Sequence, residues 1–120
     1  MALTYDEKKD IADAIHVIFN GSVQATPEQI TDEVAEMVTN IINEIAVCSK
    51  RIQHTLSATQ TLLYMGYPIQ ILIGKVGKFV LGQLISKWLK EIYKNFATRA
   101  CTNTAISRWR SPVTIALMQV

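Results

Sequence analysis

Apolar residues recur at spacings of three and four for over thirty positions in this chain. Ile30, Val34, Val38, Ile41, Ile45, Cys48, Ile52, Leu56 and Leu63 fall on the pattern, with Thr59 its polar member. A strand repeats every second residue, so this spacing demands a helix. From Val34 to Ile52 it alternates 4-3-4-3-4, as in a coiled-coil seam. Asp32, Glu36, Thr39, Asn43, Lys50 and Ser57 fall on the opposite side. Thr26-Pro27-Glu28-Gln29 is a start signal, with Thr at the cap, Pro at N1 and Gln at N3. Gly66 and Pro68 end the pattern at the latest. Unbroken, such a helix would run about 40 residues, or about 60 Å. It is expected to be continuous or gently bent, with the Ser/Thr-rich stretch Ser49–Thr61 as its weak point.

A shorter helix precedes it. Thr4-Tyr5-Asp6-Glu7 fits a capping box, and Asp6, Glu7 and Asp10 suit the positive end of a helix dipole. Ile11, Ile15, Ile18 and Phe19 form one apolar stripe. Asn20-Gly21 is a natural stop, with Gly taking the left-handed conformation.

The third helical segment, Pro68 to about Arg99, changes face. At about 100° per residue, Ile69, Leu72, Ile73, Val76, Phe79 and Val80 share one side. Leu81, Leu84, Ile85, Trp88, Leu89, Ile92 and Phe96 share roughly the other. One straight helix cannot serve a single core with both halves. A kink or break is expected between Gly77 and Gly82, since interior glycine costs a helix about 1 kcal/mol relative to alanine. The alternative is a straight helix gripped on both sides, one side covered by another chain. Ile69–Ile73 and Val113–Leu117 are also short enough to be paired strands. Ala97–Arg110 reads as further helix, marked by Ile106 and Trp109, with Ser111-Pro112 as its stop. The uncharged tail 113–120 is an apolar end suited to docking in a groove.

With 49% hydrophobic residues, 5 Gly and 3 Pro, the chain suits neither disorder nor a turn-rich β fold. The expectation is an all-α fold: a long helical hairpin or small helical bundle, forming a single domain over residues 1–120.

Charge is divided along the chain. Residues 1–48 hold nine acids and two bases, a net of −7; residues 49–120 hold ten bases and one acid, Glu91, a net of +9. Such asymmetry points to halves that neutralise each other, to head-to-tail self-association, or to a basic half facing an anionic partner. The N-terminus has no basic start and no apolar run of the secretory kind, and no stretch offers about 18 consecutive apolar residues. A cytoplasmic protein is the expectation. In that compartment Cys48 and Cys101, which form no CxxC pair, should be free thiols, with Cys48 a packing residue; a disulfide between them is the alternative for an exported protein.

No constellation for catalysis emerges. His16 and His54 sit in no HxxxH or HExxH pattern, and Asp13 three residues before His16 is better explained as helix surface than as a metal site. Gly74-Lys75 and Gly77-Lys78 lack the Ser/Thr and upstream Gly of a phosphate-binding loop. No enzyme activity, metal or cofactor is expected. The best-supported function is a non-catalytic helical interaction protein that self-associates or binds a protein partner through apolar helix faces and opposed charged halves. Leu81, Leu84, Lys87, Trp88 and Lys90 are its candidate contact residues, with Trp109 and the tail behind them. One alternative is action at an anionic membrane surface, because Gly74–Lys90 mixes Lys, Gly and large apolar residues as cationic amphipathic peptides do. Nucleic-acid binding through Lys87, Lys90, Lys94, Arg99, Arg108 and Arg110, with Trp109 stacking on a base, is the weaker alternative.

Overall fold

A computed structural model describes residues 3–52 and 96–119, which form three α-helices and a short 3₁₀ turn. Among the described residues there is no strand, and the fold is all-α. The expected kink at Gly77–Gly82, the face switch and the far part of the second helix lie outside the described residues.

Helix α1 spans Tyr5–Ile18 and is delimited by its own sequence. The Glu7 amide donates to Thr4 Oγ1 at 3.1 Å and the Thr4 amide to Glu7 Oε1 at 2.9 Å, closing the capping box. At the other end the Gly21 amide reaches the His16 carbonyl and the Asn20 amide the Val17 carbonyl. This is a Schellman closure. Asn20 (φ +49°) takes the first left-handed position, where Gly was expected, and Gly21 (φ +80°) takes the second. Asn tolerates this conformation through its short polar side chain. Ile11, Ile15, Ile18 and Phe19 are all buried.

The second start signal behaves differently. Thr26-Pro27-Glu28-Gln29 opens only the 3₁₀ turn Pro27–Gln29, with Gln29 Oε1 accepting from the Thr26 amide at 2.9 Å. Ile30 returns to extended backbone (φ −85°, ψ 102°) and is buried. Helix α2, Asp32–Ile52, then starts afresh, with Thr31 Oγ1 accepting from the Val34 amide at 3.2 Å. The expected start at Thr26 is thus one turn early, because Ile30 is drawn into the core rather than along the helix.

The seam of α2 holds: Val34, Val38, Ile41 and Ile45 are fully buried. A second line, Ala35, Thr39 and Ile42, is buried beside it. The expectation that Thr39 lies on the polar side fails, since α2 packs against both other helices and buries a broader arc than one seam. The Thr39 hydroxyl is accommodated by donating to the Ala35 carbonyl at 2.9 Å, which satisfies a buried polar group.

Helix α3 spans Phe96–Met118 and runs through Pro112. Neither the expected stop at Ser111-Pro112 nor a strand at Val113–Leu117 forms. Proline removes one backbone donor and strains the preceding turn, but Val113, Ala116 and Leu117 bury into the common core, and their burial outweighs that loss. The apolar tail therefore docks on the protein's own core, as the last turns of α3. No helix among the described residues is long and apolar enough to cross a membrane.

Candidate functional site

The most heavily cross-linked part of the described structure is the seam between α2 and α3. The helices are antiparallel: Gln29, just before α2, meets Leu117, Glu44 meets Arg108 and Trp109, and Cys48 meets Cys101. Glu44 lies beside the buried line of Ile41 and Ile45, so its stem is carried to the edge of the core with its carboxylate facing α3. There Oε2 accepts from the Trp109 indole N–H at 2.7 Å and Oε1 from Arg108 Nη1 at 3.0 Å. Both bonds are charge-assisted, but the indole bond is shorter and half-buried, away from the solvent that screens the arginine, which makes it the stronger of the two. The Arg108 side chain is 67% exposed, so the ion pair itself contributes about 1 kcal/mol or less.

One turn further along α2, Cys48 is bonded to Cys101, with Cα atoms 5.7 Å apart. The expectation of two free thiols is overturned. Each cysteine does lie on an apolar helical position, but antiparallel packing sets the two opposite each other, within the Cα separation a disulfide needs. Pairing across 53 residues depends on that packing, which local spacing does not report.

Trp109 is half-buried and packed on the core, its N–H committed to Glu44. Leu81, Leu84, Lys87, Trp88 and Lys90 lie outside the described residues, as does His54. His16 is exposed on α1, and among the described residues no group of three or more His, Cys, Asp and Glu side chains is placed to hold a metal ion. Sequence reasoning missed Glu44, whose one signal was its place next to the apolar line of a helix otherwise acidic on its far side.

The other electrostatic feature is the acidic side of α1. Glu7 is 2% exposed, with Oε1 in the capping box and Oε2 buried without a partner. The Asp10 carboxyl is pushed above its ordinary value, first by burial and then by Asp13 and Asp6, with a smaller push from Glu7 and an opposing pull from Lys9. Asp6, Asp13, Glu28, Asp32, Glu33 and Glu36 are exposed and make no ion pair among the described residues. Chemically, the seam is a structural cross-link: its carboxylate is neutralised and its sulfurs are bonded to each other.

Comparison of the chain with known protein families, curated proteins and solved structures finds no match.

Proposed function

We propose that this is a non-catalytic helical interaction protein that self-associates, with the basic, apolar segment of one copy set against the acidic helices of another. The observation that carries this reading is the distribution of charge around the disulfide. Residues 49–100, the loop that the Cys48–Cys101 bond closes, hold eight bases and one acid, a net of +7. The rest of the chain has a net of −5. Within the described residues only Glu44 among the acids of α2 meets an arginine, while six acids of the first half stand exposed. Complementary charge of this kind steers encounter and fixes register. In this reading, the apolar residues that helical spacing assigns to opposite sides before and after Val80-Leu81 supply the burial that gives an interface its affinity. Leu81, Leu84 and Trp88 are the anchors in this reading, and Lys87 and Lys90 are the charges beside them. Trp109 supports the base from which the segment leaves. A cytoplasmic location conflicts with the bonded cysteine pair.

Light scattering coupled to gel filtration tests the proposal. The expected result is a mass above that of one chain at high protein concentration, falling towards it as salt screens the charges. Leu84→Asp with Trp88→Asp should give a monomer at every concentration. A wild-type protein strictly monomeric at high concentration and low salt would refute self-association.

A second reading rests on the same basic loop: binding to an anionic membrane surface. It predicts sedimentation with phosphatidylserine vesicles that weakens with salt, and none with neutral phosphatidylcholine vesicles. Equal binding to both, or to neither, counts against it.

A further inference from the structure

We propose that the Cys48–Cys101 bond is a permanent structural staple and that this protein resides in an oxidising compartment. The bond joins the only two cysteines in the sequence. It forms where the fold already holds its partners: Glu44, one turn back on α2, is anchored to Arg108 and Trp109 on α3. The Cα separation of 5.7 Å lies well within the range of unforced disulfides.

Burial on the α3 side favours a staple over a switch. Cys101 is 2% exposed, and its neighbours Thr102 and Ala105 are fully buried, while Cys48 is half-buried. An attacking thiolate needs access to one sulfur, and a catalytic or regulatory pair sits in a reachable setting. No third cysteine exists in the chain to resolve a mixed disulfide. Formation takes two thiols to one S–S bond, with loss of two protons and two electrons. The electrons go to a disulfide-bearing oxidant, whose own S–S bond becomes two thiols. Such oxidants prevail in oxidising compartments, whereas the cytosol keeps thiols reduced.

The staple also has a topological role. It closes the 53-residue separation between its cysteines, so both ends of the basic segment are tied to the three-helix base. This inference is independent of what that segment binds.

The test is thiol trapping on the full-length protein in the cells that make it, quenched with acid and alkylated in denaturant so that buried thiols react, with labels counted by mass. The expected result is no label until dithiothreitol is added, then two. In parallel, reduction of the purified protein, or Cys48→Ser with Cys101→Ser, should lower the melting temperature by about 10 °C or more. Two labels on protein trapped without reductant would overturn the compartment and the staple together. A protein whose melting temperature is unmoved although two labels show the bond to be reduced would overturn the staple. If the double variant fails to fold, the trapping and reduction measurements still decide.

Discussion

Helices α1 and α3 are made in opposite ways. α1 carries its own instructions: a complete capping box, acids in the first turn, a Schellman closure and one apolar stripe. α3 carries almost none. It has no acid in its first turn, no base in its last and a proline in its interior. It is helical because of what it touches: a bond from Cys101 to Cys48, Trp109 and Arg108 on Glu44, and Ala105, Val113, Ala116 and Leu117 in the core. Local signals delimit the first helix and tertiary contacts sustain the last. Most helical stability in proteins comes from packing of this kind, so α3 should fail when its contacts are cut and α1 should not.

The largest expected effect is loss of the staple. In the chain-entropy model a disulfide closing a loop of this length contributes about 4 kcal/mol. With Cys48 and Cys101 both replaced by serine, amide exchange in α3 should rise far more than in α1. Equal rises in both would mean that the helices unfold as one unit and that the contrast between them is only one of origin. Next is Pro112→Ala. Pro112 is exposed, so alanine sacrifices no packing and restores a backbone donor. The variant should be more stable by about 1–3 kcal/mol in urea titration, less whatever stiffness proline gave the unfolded chain. A loss of stability would show that the fixed φ of proline is needed to seat Val113 and Leu117.

Third is Glu44. Glu44→Ala leaves the half-buried indole N–H of Trp109 without its acceptor and should cost about 1.5–3 kcal/mol. Arg108→Ala should cost less than about 1 kcal/mol, because its side chain is mostly exposed. If the two losses were equal, the ion pair rather than the indole bond would be holding the seam.

The same contrast decides how much could be read from the sequence. Capping residues, the Asn20-Gly21 stop and the stripes on α1 and α2 act within a few residues of each other, and the sequence displays them. That Thr26 opens only a 3₁₀ turn was not legible, because it depends on where Ile30 finds its pocket. Nor was the passage of α3 through Pro112, which depends on a core assembled by the other helices. The disulfide and the Glu44 anchor belong to the same class, since each joins residues more than fifty positions apart. The burial of Thr39 belongs with these, since spacing displays one seam on α2 but not the second helix packed against it.

Small effects are also expected on α1, where locality can be tested directly. Thr4→Ala removes one arm of the capping box and should cost about 1 kcal/mol, with faster exchange confined to the first turn. Asp10→Asn should go the other way at neutral pH. Burial, then Asp13 and Asp6, holds the Asp10 carboxyl above its usual value of 3.8, so the folded protein binds that proton more tightly than the unfolded chain does. The sign follows from linkage. The contribution to stability is fully present below the unfolded value and is lost as pH rises through the raised folded value. At pH 7 the ionised carboxylate is a burden that asparagine lifts, so the variant should melt slightly higher than the wild type. Below the unfolded value the wild-type group is already neutral, and the advantage should vanish. An offset that stays the same at both ends of the pH range would show that the substitution acts through shape alone. The acidic side of α1 would then be a solvated surface whose charges do not strain the helix beneath them.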